Sequence, residues 1–125
     1  MSNKNNHIFT DKLIHDIINA VFPDKRCYCD VMRGSVDEYV EAKCIGYTSS
    51  MLDNGMEYPV EVYIYDNSFD ITIFHPDDYL RSDLVNLDEL RGRLKGMMQV
   101  AAPDFSPSVV KDYDDFMMTF TFAKS

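Results

Sequence analysis

Apolar residues recur along this chain with two different periods, and the switches between them divide it into elements. Leu13, Ile14, Ile17, Ile18, Val21 and Phe22 return every three or four positions, the spacing of a helix with one apolar stripe. Thr10 offers an N-cap and Pro23 a stop, so a first helix is expected within "TDKLIHDIINAVFP". From Tyr58 to Pro76 the period drops to two. Val60, Val62, Ile64, Ile71 and Ile73 take one side; Glu61, Tyr63, Tyr65, Asp70, Thr72 and Phe74 take the other. Such alternation marks strands with one buried face. Helical spacing resumes in "NLDELRGRLKGMMQVAAP", where Leu87, Leu90, Leu94, Met97, Met98 and Ala101 form the stripe. Asn86 and Glu89 form its capping box and Pro103 ends it. "DFMMTFTFA" closes the chain as a strand, with Phe116, Met118, Phe120 and Phe122 on one face and Met117, Thr119 and Thr121 on the other.

Turn signals then propose pairings. "DNG" at Asp53–Gly55 is a hairpin signature. With Asn54-Gly55 as a two-residue loop, Tyr47 lies opposite Val62 and Ile45 opposite Ile64. A second turn at Asp66-Asn67 sets Ile64 against Phe69, Val62 against Ile71 and Val60 against Ile73. Both registers gather apolar residues on one side, and a one-residue slip would mix the faces. "HPDDYL" reads as a turn or a single helical turn, and "DFSPSV" as a loop. Residues 27–46 admit two readings. Ser35 and Glu38 can open a helix that Gly46 closes. Equally, a hairpin about Gly34-Ser35 would set Cys29 against Val40 and Cys27 against Ala42. In the second helix, Gly92 and Gly96 each lower propensity by about 1 kcal/mol relative to alanine, a loss that close approach of a neighbour would explain.

An antiparallel sheet with one oily side, and two amphipathic helices with matching stripes, make a two-layer α+β sandwich. The expectation is four to five strands with both helices on one face, in a single domain over 7–125 behind a flexible tail of residues 1–6. No repeat, low-complexity tract or linker divides the 125 residues. The element order resembles that of secretion-chaperone α+β folds, a likeness of order alone that no motif carries and that does not fix function.

Composition sharpens the picture. An apolar fraction of 46% with 13% aromatics suits a folded core rather than a disordered chain. No apolar run reaches the length of a membrane span, and "MSNKNNHIF" lacks a secretory core, so a soluble, cytoplasmic protein without membrane contact is expected. The net charge of −9 is concentrated: between Asp53 and Glu89 ten carboxylates face one base, Arg81. A field of this sign repels nucleic acid and attracts basic surfaces. A solvated, solubility-giving face explains it too.

Candidate chemistry is sparse. Three cysteines cannot all pair, which fits a reducing compartment. Cys27, Cys29 and Cys44 with His15 or His75 could supply four zinc ligands, but the spacing is not C-x-x-C. Free cysteine commonly packs as a small hydrophobe, so no cofactor and no metal are expected. An enzyme would have to draw on Cys44, His75, Asp77 and Asp78, yet no activating signature accompanies them. Asp77 and Asp78 alternatively favour a helix start. No phosphate-binding loop exists, and Arg91, Arg93 and Lys95 form only a short patch in an acidic chain.

There remains the polar side of the meander. Glu57, Glu61, Tyr63, Tyr65, Asp70 and Phe74, continued by Asp77 and Asp78, combine aromatic area with carboxylates, the means by which a surface grips a cationic partner. Cross-strand tyrosines also stabilise a sheet with no partner at all. The expectation is a non-catalytic protein-binding module (adaptor, regulator or chaperone-like) whose partner has a basic surface or is a second copy of the chain. The alternative is a small acidic phage or mobile-element inhibitor that mimics nucleic acid in a nuclease groove. A metal- or thiol-dependent enzyme stands third.

Overall fold

The computed structural model describes residues 8–31, 40–52, 55–74, 87–112 and 117–124. Its elements run α1 (Asp11–Val21), β1 (Cys27–Val31), β2 (Ala42–Thr48), β3 (Tyr58–Ile64), β4 (Ser68–Phe74), α2 (Leu87–Ala101), β5 (Phe105–Asp112) and β6 (Met117–Lys124). The six strands form one antiparallel sheet in the order β1-β2-β3-β4-β6-β5. The class is α+β as the patterning implies, with six strands where four to five are expected.

The extra strand is "FSPSV", read from sequence as a loop because proline and serine punctuate it. Pro107 cannot donate to a ladder, but β5 lies at the sheet edge, where a missing N–H is tolerated. A register shift between Val109 and Lys111 follows along the same strand, a further device typical of edges.

Helix α1 starts and stops where its caps require. The Leu13 N–H donates to Thr10 Oγ1 at 3.1 Å, satisfying one of the orphan donors at the helix start. The Phe22 N–H closes back on Ile18 O at 2.9 Å, and Pro23 forbids another turn. Ile14, Ile17, Ile18 and Val21 are buried from this helix; Leu90, Leu94 and Met98 are buried from α2. Opposite them lie Val60, Val62, Ile64, Phe69, Ile71, Ile73, Phe120 and Phe122, all sealed from solvent. Truncating any one of these large side chains costs about 2–5 kcal/mol by typical core series.

A ring cluster ties distant segments together. Phe69 of β4 and Phe122 of β6 are register partners and stack with centroids 4.7 Å apart. Phe9, just ahead of α1, meets Phe69 edge-on at 6.0 Å and Phe105, the first residue of β5, at 5.2 Å. The N-terminal segment is thereby anchored to the C-terminal hairpin.

The β3–β4 register is the one read from the sequence: Ile64 faces Phe69, Val62 faces Ile71 and Val60 faces Ile73. The β2–β3 register is not. Tyr47 pairs with Pro59 and Ile45 with Glu61, so the faces of β2 are inverted relative to expectation. Ala42, Cys44, Gly46 and Thr48 turn inward, while Ile45 and Tyr47 turn outward. The cause is the connection. Gly55 does take the left-handed conformation, with φ of +76°, but the segment before it buries Met51 and Leu52. A two-residue turn would carry the strand through them and set adjacent Met51 and Leu52 on opposite faces, leaving only one of the two buried. Burying them lengthens the loop and moves the pairing by three residues.

Residues 27–46 contain a hairpin pairing, β1 on β2, with Cys29 opposite Cys44 and Cys27 opposite Gly46. The expected partners Val40 and Ala42 are displaced by four positions because the connection is longer than a Gly34-Ser35 turn. The helix alternative is overturned at its closing end, because Cys44 and Gly46 lie in strand β2; its box residues Ser35 and Glu38 fall outside the described residues. So do Asn86 as a cap, the "HPDDYL" turn and the tail of residues 1–6. Close approach does not account for Gly92 and Gly96: a Cβ at either would meet nothing within 4 Å, and both face solvent.

Candidate functional site

With the helices on one side, the other side of the sheet carries a continuous array of outward-facing side chains. On one cross-strand row Tyr28, Ile45, Glu61, Thr72 and Thr119 lie side by side across β1, β2, β3, β4 and β6. The next row holds Asp30, Lys43, Tyr63, Asp70 and Thr121. On a third, Tyr47 faces Pro59 and Phe74 faces Met117. The period of two that buries the valines and isoleucines necessarily presents this second set outward.

The array has an apolar end and a polar centre. Toward β1, Tyr28 is 68% exposed, Tyr47 51% and Ile45 40%. Tyr28 and Ile45 are register partners and Tyr47 follows on the same face of β2, so the three form one exposed aromatic and aliphatic group. Toward β4 and β6 the surface dips into a shallow depression of about 200 Å³ lined by Glu61, Tyr63, Tyr65, Asp70, Thr72, Phe74, Met117 and Thr119. Its floor is fixed by hydrogen bonds. Thr72 and Thr119 hydroxyls meet at 2.9 Å, and Thr121 Oγ1 donates to Asp70 Oδ1 at 2.6 Å.

Two groups show how the local field acts. Partial burial pushes the Tyr63 phenol above its ordinary value, and the adjacent Glu61 carboxylate adds to this through its charge and as hydrogen-bond acceptor. The Tyr63 hydroxyl donates to the Glu61 carboxylate. At the rim, the Arg26 guanidinium donates to Glu57 Oε2 and lies 6.0 Å from the centroid of the Tyr47 ring, so that carboxylate is neutralised within the chain.

Of the eight residues chosen from sequence, the structure brings Glu61, Tyr63, Tyr65, Asp70 and Phe74 to one depression. Glu57 lies outside its lining, bound to Arg26. Asp77 and Asp78 fall outside the described residues. Sequence reasoning missed Tyr28, Ile45, Tyr47, Met117 and Thr119. For Met117 and Thr119 the alternation of the last strand gave the face but not the neighbour, since β4 and β6 are separated by a whole helix in sequence.

The cysteines depart from the simple buried-thiol reading. Cys44 is buried, but Cys29 is exposed and joined to Cys44 by a disulfide, and Cys27 is a half-buried free thiol. An odd count thus leaves room for one bridge, and the number of cysteines does not mark the compartment. His15 is exposed, its ring bonded to Asp11 O at 2.8 Å through Nδ1, and does not join the cysteine cluster; His75 falls outside the described residues. Among the described residues no helix is long and apolar enough to cross a membrane.

No family model matches the chain, and comparison with curated proteins and with solved structures likewise finds no match.

Proposed function

We propose that the chain is a non-catalytic protein-binding module that docks a basic partner on the open face of its sheet. The observation that carries this reading is the conjunction of an exposed apolar patch, at Tyr28, Ile45 and Tyr47, with an aromatic and carboxylate-lined depression on the same surface. Its size matters. Pockets for small molecules run to roughly 300–1,000 Å³ and enclose their ligand, whereas this depression is near 200 Å³ and open. It suits one side chain of a larger partner. Tyr63, Tyr65 and Phe74 offer ring faces and Glu61 and Asp70 offer carboxylates, which together select an arginine or lysine.

The partner's chemistry follows from charge complementarity. The chain carries a net charge of −9, so encounter with a basic surface is accelerated and encounter with an acidic one suppressed. The nucleic-acid-mimic alternative draws less support, because it needs carboxylates aligned on one surface. Glu57 is paired with Arg26, Asp88 with Arg91 on α2, and Glu61 and Asp70 lie on the sheet. Among the described residues, the carboxylates of the acidic block are thereby divided between the two layers.

The test is affinity purification from the native host with quantitative mass spectrometry, comparing three baits. Wild type and a helix-side control, Val100→Ser, should retain the same basic protein. A sheet-face variant carrying Glu61→Lys, Tyr63→Ala and Asp70→Lys, its fold checked by circular dichroism, should lose it. Retention by the face variant, or a chain that is strictly monomeric and retains nothing in any form, would overturn the proposal.

A further inference from the structure

The chain's three cysteines converge at one edge of the sheet, away from the docking face. Cys27 and Cys29 alternate on β1 and so share a side, and Cys44 sits directly across from Cys29 on β2. All three sulfurs lie within 4.8 Å of one another, with Cys27 Sγ 3.7 Å from Cys29 Sγ.

Two chemistries use sulfurs held this close, and they demand different shapes. Exchange of the Cys29–Cys44 bond by the Cys27 thiolate needs attack opposite the leaving sulfur, along the bond axis. With an ordinary sulfur–sulfur bond, a linear array would set Cys27 and Cys44 sulfurs about 5.7 Å apart. The cluster is instead a compact triangle. A tetrahedral ion bonded to thiolates at about 2.3 Å holds its sulfurs about 3.8 Å apart, close to the Cys27–Cys29 separation of 3.7 Å.

We propose that, once the Cys29–Cys44 bond is reduced, Cys27, Cys29 and Cys44 bind one thiophilic divalent cation, with Zn²⁺ as the type, as a three-thiolate site. Reduction takes two electrons and two protons from a dithiol, which is itself oxidised to a disulfide. Metal binding then displaces three protons from the three thiols. Cys44, buried, anchors the site to the core, while exposed Cys29 leaves a path for entry. Among the described residues no histidine or carboxylate joins the cluster, and the site proposed is the three thiolates alone. Gly46 makes the arrangement possible, since a Cβ there would collide with Cys27. Sheet pairing, not a C-x-x-C loop, supplies the ligand geometry.

The experiment is anaerobic titration of the reduced full-length chain with Co²⁺ as optical probe, followed by Zn²⁺. One equivalent of Co²⁺ should give a thiolate-to-cobalt charge-transfer band that one equivalent of Zn²⁺ abolishes, and Cys27→Ser should weaken binding about tenfold or more. Alkylation of the wild-type chain, read by mass spectrometry, provides a measure independent of that variant's folding: Zn²⁺ should protect all three cysteines. Absence of the band, unchanged affinity in Cys27→Ser, or alkylation of Cys27 at the same rate with and without Zn²⁺ would overturn the proposal.

Discussion

Gly46 has no room for a side chain. A Cβ there would run into Cys27 and the backbone carbonyl of Arg26, because β1 closes on β2 directly over it. The sequence offered this glycine as the end of a helix, and nothing in a single chain distinguishes a capping glycine from one pressed beneath a neighbouring strand. Gly46→Ala should lower stability by about 1–3 kcal/mol, as overpacking typically does, read as a fall in the urea midpoint with an unchanged slope. Thr10 was legible for the opposite reason. Its role is local: a hydroxyl three residues ahead of the N–H it caps, so the sequence alone carries the contact. Tyr63 stands between these cases. Its outward direction follows from alternation, while the neighbours across β2 and β4 require the register.

At the scale of elements, periodicity proved reliable where the element's environment is uniform. Both helices lie where their stripes place them, because each buries one face along its length. The β3–β4 pairing was readable because a short turn at Asp66-Asn67, closed by the Tyr65 N–H on Ser68 O at 2.8 Å, leaves no freedom in register. Strand β2 was not readable, because the loop before β3 contributes Met51 and Leu52 to the core and so sets its own length. Strand β5 escaped notice because edge strands tolerate the residues that elsewhere signal loops. The exposed glycines of α2 give an element-scale prediction. With nothing for a Cβ to strike, Gly92→Ala and Gly96→Ala should each raise stability by about 1 kcal/mol through helix propensity and the unfolded chain's entropy, seen as additive increases in the thermal midpoint. No change in either variant would mean that α2 gains nothing from propensity there.

For the whole molecule, the consequence of folding is a division of labour between two sides. Among the described residues, the side under the helices takes most of the large aliphatic residues and every phenylalanine but Phe74. The other retains tyrosines, threonines, an isoleucine and carboxylates, which would be a poor core and make a serviceable docking surface. Half of that surface was legible, since a strand that buries every second residue must expose the rest. The remainder, Tyr28, Ile45 and Tyr47, became part of it only when the β1 and β2 registers were known. These three extend the surface from a polar depression to an apolar patch, and the proposed docking assigns affinity to the apolar part and encounter to charge. The central claim is that the sheet's open side is free in the isolated chain and covered in the complex. Oxidative footprinting of both states tests it most directly. The account predicts that Tyr28, Tyr47 and Tyr63 are oxidised in the free chain and protected in the complex, with Val100 on α2, 90% exposed, labelled in both. Protection of Val100 with the three tyrosines still labelled would contradict it.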